Sequence, residues 1–293
     1  MEQISFSPAK VNLFLKVLSE RPDGYHNVVS IVDIVSIYDV IRLRETPGPE
    51  VLVRDDRQVL PVGPANTIYR AIMLLKERYG IGAGVTVHVE KHIPLGSGLG
   101  GGSGNAATVM KALARLWGLP AEPAELVELG RLVGADVPLF LYGRSCVVRG
   151  VGETVSPLEL PAMWYVVVYP RVLLSTRDVY NALRIVLTKG ENEVKFSEKF
   201  SRASDIADIL ENDLEEVALL KCPEIKTIKE RLKEAGALGS LMSGSGSAVF
   251  GIFEDKRSAR KASEQVGGFG SVFVAHSVQE ERDGNHGRED LSG

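Results

Sequence analysis

Residues 94–107 read Pro94-Leu95-Gly96-Ser97-Gly98-Leu99-Gly100-Gly101-Gly102-Ser103-Gly104-Asn105-Ala106-Ala107, and six of the nine from Gly96 to Gly104 are glycine. Ordering glycine loses more backbone entropy than ordering any other residue, so such a run inside a folded chain needs a reason. Close approach of backbone N–H groups to an anion, phosphate above all, supplies one. Two other places carry groups that can act on a bound anion. Lys10 and Asn12 stand two apart, which on a strand puts them on one face, opposite Val11, Leu13 and Leu15. The ordinary reading of such a pair is a solvent-facing edge, and Lys16 on the same face fits it. Asp136 follows Gly134-Ala135 and precedes Val137-Pro138 and the apolar Leu139-Phe140-Leu141. By itself it reads as a helix N-cap.

The elements that must position these groups are legible. Val85-Thr86-Val87-His88-Val89-Glu90 alternates as a half-buried strand does. After the glycine run, Ala106, Val109, Met110, Leu113 and Trp117 recur at helical spacing, closed by Gly118 and Pro120. Strand, glycine loop and helix N-terminus in that order aim a helix dipole and unpaired amides at phosphate. Residues 4–18 read as a strand with a point of interruption at Pro8, 28–43 as a second and 50–54 as a short third. Residues 66–79 and 123–133 read as helices, the second opened by Pro123 and followed by Gly134. Beyond a composition break at 157–161, a strand is expected at 164–169 and helices at 176–187, 204–220 and 223–234. Two short strands should flank Ser243-Gly244-Ser245-Gly246-Ser247, with a charged helix at 255–265 and a last strand at 271–277. The polar stretch 279–293 lacks periodicity and reads as disordered. The expected division is 1–157, 158–278 and that tail.

Composition excludes several classes. With 44% hydrophobic and 25% charged residues the chain reads as an ordinary soluble globular protein. A net charge of −4 leaves no electrostatic footprint for nucleic acid. Cys146 and Cys222 lie far apart and fit no metal spacing, which favours a reducing, cytoplasmic compartment. No secretory signal is read in residues 1–10, and no apolar run of about 18 residues suggests a membrane span.

Known phosphate loops discriminate further. A Walker A loop needs Gly-Lys-Ser or Gly-Lys-Thr at the helix start, and no Gly-Lys pair occurs. A Rossmann fingerprint matches formally at Gly96, Gly98 and Gly101, yet the acid expected on a following strand is missing, since Leu119-Pro120-Ala121-Glu122 leads into another helix. The His-Arg-Asp and Asp-Phe-Gly of protein kinases are absent.

Pro-x-x-x-Gly-Leu-Gly-Gly-Gly-Ser followed by Asn-Ala-Ala resembles the second motif of the small-molecule kinases grouped as galactokinase, homoserine kinase, mevalonate kinase and phosphomevalonate kinase. Ser7-Pro8-Ala9-Lys10-Val11-Asn12-Leu13 resembles the first motif of that family, and Leu241-Met242-Ser243-Gly244-Ser245-Gly246-Ser247-Ala248-Val249-Phe250 its third. Arg21-Pro22-Asp23-Gly24-Tyr25-His26 and Gly134-Ala135-Asp136-Val137-Pro138 narrow the resemblance to the branch that phosphorylates a cytidyl diphosphate alcohol in the non-mevalonate isoprenoid route. The resemblance spans residues 4 to about 277. It implies a two-domain α+β fold, the first domain like the second domain of a small-subunit ribosomal protein and the second ferredoxin-like, with the site in the cleft between.

The resemblance also implies roles. Lys10 and Asp136 become the catalytic pair, the ammonium keeping the carboxylate ionised and stabilising the transferring phosphoryl group. A loose transition state needs only a late proton acceptor, which an aspartate can be. Pro94, Leu95, Gly96, Ser97, Gly98, Leu99, Gly100, Gly101, Gly102, Ser103 and Gly104 would cradle ATP. Ser103 would offer a hydroxyl to phosphate or Mg²⁺, or simply cap the helix. The resembled segment often has serine where this chain has Gly104, which removes one hydroxyl. Mg²⁺ follows from the reaction class and no dedicated carboxylate ligand is visible. Asn66 corresponds to a position that touches adenine, or is a helix cap. Tyr25 and His26 would flank the cytosine, with Asn12 beside the substrate. Tyr180 would be the second stacking aromatic, or a core residue of its helix. Thr176 would bind substrate phosphate, or act as N-cap. The rival readings are a sister kinase for homoserine or mevalonate and a non-catalytic nucleotide or sugar-phosphate sensor.

Overall fold

The computed structural model describes residues 2–183, 196 and 199–278. Two long strands rich in Val and Ile form its spine. β1 (Glu2–Glu20) and β2 (His26–Thr46) pair antiparallel along nearly their whole length. Proline has no N–H to give a ladder. Pairing nevertheless continues past Pro8 through a register shift between Pro8 and Ala9, so the expected interruption is a bulge. A second shift between Asn12 and Phe14 breaks strict alternation: Leu13 and Phe14 both pack towards the second sheet, while Leu15 borders the central cavity.

β3 (Val51–Asp55) runs parallel beside β4 (Gly84–Glu90), with α1 (Thr67–Tyr79) as the crossover. Asn66 caps α1 by accepting from the Ile68 N–H at 2.8 Å, and Gly80 ends it in the left-handed region. Next come α2 (Gly101–Leu116), α3 (Pro123–Val133) and α4 (Val137–Tyr142), then β5 (Cys146–Gly150) and β6 (Thr154–Pro157). The first sheet has the order β3-β4-β2-β1, with β5 paired to the early part of β2 and β6 to β5. The expected boundary near 158 falls between β6 and β7 (Trp164–Tyr169), where the chain enters a second sheet.

Then follow α5 (Thr176–Ala182), α6 (Ala203–Ala207), β8 (Glu211–Asn212), α7 (Glu215–Lys221), α8 (Glu224–Glu234), β9 (Gly239–Met242), β10 (Val249–Phe253), α9 (Lys256–Gln265) and β11 (Ser271–His276). The second sheet is antiparallel throughout, in the order β11-β7-β10-β9. β8 leaves it and pairs parallel with β1 at the edge of the first sheet.

The layers share cores. α1 to α4 cover one face of the first sheet through Ile72, Leu75, Val109, Met110, Leu129 and Phe140. Between the sheets, Val11, Leu13, Val29 and Ile31 meet Tyr165, Val167, Phe250 and Ile252. The outer face of the second sheet packs Val166, Val168 and Val249 on Ile225, Ile228 and Leu232 of α8 and on Ala259 and Ala262 of α9.

Two expectations are corrected. The single helix expected at 204–220 is α6, β8 and α7 instead. Asn212 accepts from the Leu214 N–H with its own side chain, an alternative to the helical ladder, and its strand bonds β1. β5 and β6 were not expected, being too short for a clear period, whereas α4 is the helix that the N-cap reading of Asp136 implies. The last part of the helix expected at 176–187 lies, from residue 184, outside the described residues, as does the tail 279–293.

Candidate active site

The glycine run leaves β4 and turns through Gly96, Gly98 and Gly100, whose φ values are 57°, 81° and 73°. α2 then starts at Gly101 with Gly100 as N-cap and no side-chain cap bond. Its first N–H groups therefore have no protein acceptor within the helix, and they open onto a cavity of ≈ 990 Å³. The loop is held from two sides. Lys10 N–H donates to Leu99 O at 3.0 Å and Ala248 N–H to Ser97 O at 3.0 Å. A side chain at Gly98 would overlap the Ser243 carbonyl oxygen. Gly104 has a different reason: a Cβ there would lie 2.8 Å from Pro8 O, so glycine lets α2 press onto β1 where serine would not fit unaltered.

Lys10 and Asn12 project into this cavity from β1, 4% and 6% exposed, so the pair is no solvent edge. Lys10 Nζ donates to Asn12 Oδ1. Asn12 Nδ2 donates to Ser30 Oγ at 2.9 Å, and Ser30 to Phe14 O at 2.6 Å, a chain that fixes the amide's orientation. Burial lowers the Lys10 ammonium below the ordinary lysine value, and the charge of Asp136 acts against that shift. Asp136 does sit at the N-cap of α4, yet its carboxylate makes no cap hydrogen bond there. It lines the cavity instead, together with Lys10 and Ser103.

On the wall of the same cavity His26 lies against Tyr180, ring centroids 5.1 Å apart and planes at 38°. Tyr25 stands beside them, 62% exposed. Tyr180 also packs on the outer core, and burial, then Asp136, raise its phenol. Thr176 is not the cap of α5. Ser175 is, and the Thr176 hydroxyl pairs with Ser245 Oγ at 2.9 Å on the cavity wall.

The cavity thus gathers Lys10, Asn12, Tyr25, His26, Pro94, Leu95, Gly96, Ser97, Gly98, Gly100, Gly101, Gly102, Ser103, Asp136, Thr176 and Tyr180. Three residues expected at the site do not line it. Leu99 is core, Gly104 is a packing contact, and Asn66 spends its amide on the cap and on Pro61 O at 3.0 Å. Sequence reasoning missed Lys91, whose ammonium pairs with buried Asp39 under Gly101. Its only signal was an acid, Asp39, within a largely apolar strand that also holds Asp33. Arg177 and Asn181, which also border the cavity, gave none.

Among the described residues no group of three or more His, Cys, Asp or Glu is placed to hold a metal. Oxygens on the cavity wall include the Asp136 carboxylate and the Ser103 hydroxyl. That set suits Mg²⁺, which takes one or two protein oxygens and completes its shell with phosphate oxygens and water.

A glycine cradle at a helix start, a buried lysine and a free carboxylate in one cleft define a small-molecule phosphotransferase site. The chain belongs to the GHMP kinase family: the family's N-terminal domain model matches residues 66–144 and its C-terminal model residues 196–272. Its full-length relatives include the 4-diphosphocytidyl-2-C-methyl-D-erythritol kinase of Geotalea daltonii, 39% identical over 92% of this chain and 96% of that protein. The enzyme of that name from Geobacter sulfurreducens is 42% identical over 89% and 93%. A crystal structure of 4-(cytidine 5'-diphospho)-2C-methyl-D-erythritol kinase superposes with a TM-score of 0.77 at 36% identity, covering 94% of this chain and all of that one. Homoserine kinase from Cytophaga hutchinsonii shares the fold, with a TM-score of 0.70 at 22% identity. No helix among the described residues is long and apolar enough to cross a membrane.

Proposed function

We propose that this chain transfers the γ-phosphoryl group of ATP to the 2-hydroxyl of 4-diphosphocytidyl-2-C-methyl-D-erythritol, a step in isoprenoid precursor synthesis. The observation that carries the reading is one cavity lined by Lys10 and Asp136 and also by Tyr25, His26 and Tyr180. Neither homoserine nor mevalonate has a base to stack. Residues 1–157 would form the ATP-binding unit and 158–278 a substrate-side unit contributing Thr176 and Tyr180. Two free, buried cysteines, Cys146 and Cys222, support a reducing cytoplasmic setting.

The amides of Gly101, Gly102 and Ser103 receive the ATP phosphates at the positive end of α2. Asp136 and Ser103 would hold Mg²⁺ together with phosphate oxygens, and the ion would supply charge neutralisation. Lys10, oriented by Asn12, stabilises charge on the phosphoryl oxygens as the bond to the leaving group lengthens. Asp136 orients the acceptor hydroxyl and takes its proton late. His26 and Tyr180, with Tyr25 at the rim, hold the cytosine and so place the far hydroxyl by the phosphate end.

The test is ADP release, coupled to a dehydrogenase readout, with the cytidyl substrate against homoserine and mevalonate. Turnover is expected with the cytidyl substrate alone. Turnover only with another alcohol reassigns the acceptor, and ligand binding without turnover makes the protein a sensor.

A further inference from the structure

The sequence between α6 and α7 defies its helical pattern, and the reason for the break leads to the active site. β8 is two residues long, and Asn212 within it is 7% exposed. Its amide nitrogen donates to Met242 O and to Gly244 O, both at 2.8 Å, while its oxygen accepts from the Leu214 N–H at 3.0 Å. Every strong hydrogen-bonding position of that side chain but one lone pair is used. Glu215 completes the brace by accepting from the Met242 N–H at 2.9 Å.

What this brace holds is the turn that walls the phosphoryl end of the cavity. Ser243 Oγ donates to Gly98 O at 3.1 Å and accepts from Asn12 N–H at 3.3 Å. Gly244 comes so near that a Cβ on it would lie 3.0 Å from Lys10 Nζ and 3.1 Å from Asn12 Oδ1. Ser245 Oγ meets Thr176 at 2.9 Å. The backbone on either side of Ser243 is thus pinned by one amide that does not line the cavity.

We infer that Asn212 is a positioning residue for phosphoryl transfer: its two N–H bonds fix the turn at 242–245, which in turn fixes Lys10 and the glycine loop. The inference rests on the kinase reading above. Two buried carbonyls lose their donors when the amide is removed. The turn then relaxes away from Lys10, and displacements of about 1 Å at such a site lower rates by about 100-fold. Tyr25 and His26 come from the β1–β2 side of the cavity, and the turn bonds the helix that carries Tyr180 through Ser245 and Thr176, so the loss should fall on kcat more than on substrate affinity.

The variant is Asn212→Asp, which keeps the size and the acceptor for Leu214 but cannot donate to the two carbonyls. Asn212→Ser, which keeps one short donor, serves where the aspartate prevents folding. The expected result is kcat lowered at least tenfold with KM for the cytidyl substrate within threefold of the parent. Glu211→Gln, on the same strand but paired with Lys16 in solvent, should leave both constants unchanged. A kcat within twofold of the parent, or a loss carried by KM alone, overturns the inference. A parent protein that does not turn over the cytidyl substrate sinks the function reading instead. Amide hydrogen exchange then decides the positioning role without any substrate. Exchange at least tenfold faster at 243–248 and 97–99, with β2 and β4 unchanged, supports it. Unchanged exchange in those two segments overturns it.

Discussion

The Ser243 hydroxyl donates to the carbonyl oxygen of Gly98 at 3.1 Å, across 145 residues of chain. The same hydroxyl oxygen takes the Asn12 N–H. One small side chain therefore joins the serine-glycine turn, the phosphate loop and the opening strand. The amides of the cradle and the ammonium of Lys10 are set by a common frame before any ligand arrives, the preorganisation that electrostatic catalysis requires.

Asp136→Asn should lower kcat by about 10²- to 10⁴-fold, the range for a positioned general base. Its carboxylate makes no cap bond, so the thermal midpoint should stay near that of the parent. Steady-state ADP release and calorimetry check the pair of outcomes. Turnover within a few-fold of the parent would remove Asp136 from the mechanism.

Tyr25 is 62% exposed and its ring supports no core. Tyr25→Ala should therefore leave stability alone and raise KM for the cytidyl substrate. One stacked base is worth about 1–3 kcal/mol, roughly 5- to 150-fold. The KM for ATP should remain within twofold. Equal loss for both ligands would count against a cytosine pocket.

Burial holds the Lys10 ammonium below the ordinary lysine value of about 10.4. The group is active when protonated, so kcat/KM should fall as pH rises through the lowered value. The basic limb of the profile should accordingly lie below pH 10.4, and Lys10→Ala should abolish the limb along with most activity. A limb at or above the free lysine value would show that this amine is not the group observed.

Asp33 is fully buried and accepts from Ser145 at 2.6 Å, Tyr165 at 2.7 Å and Ser277 at 2.6 Å. Burial raises its carboxyl despite these three donors. A raised folded-state value means that its contribution is present in acid and is lost as pH rises through that value. Asp33→Asn lacks this loss, so the variant's melting temperature relative to the parent should increase with pH from about 4 upward. A difference that is flat from pH 4 to 8, measured by calorimetry, would exclude the linkage.

Much of the site was legible because its residues sit in regular elements with strong punctuation. Two apart on a strand, Lys10 and Asn12 had to share a face, and they do. The glycine run between β4 and α2 was legible as a turn into a helix N-terminus, and Gly101 is the first helical residue. Capping was harder to read. Asn66, Asp136, Ser103 and Thr176 all looked alike as helix-start polar residues, and local sequence cannot tell a side chain used in a cap from one left free. Coordinates separate them: Asn66 caps, Asp136 leaves its carboxylate unspent, and Ser175 rather than Thr176 caps α5. Lys91 and Asp39 were out of reach because their partnership spans 52 residues. Asn212 was hidden for a related reason: its bonds to Met242 and Gly244 outweigh a local preference for helix, and only the tertiary contact reveals it.

β8 has a further consequence for how ligands come and go. A jaw-like swing between the later half and β1 would unzip its pairing at Phe14 and Leu15 and tear Asp213 N–H from Leu15 O, while Tyr165 would be dragged off Asp33. Opening the cleft as a jaw would therefore break buried pairing, whereas Tyr25 and Arg177 already stand exposed on its wall.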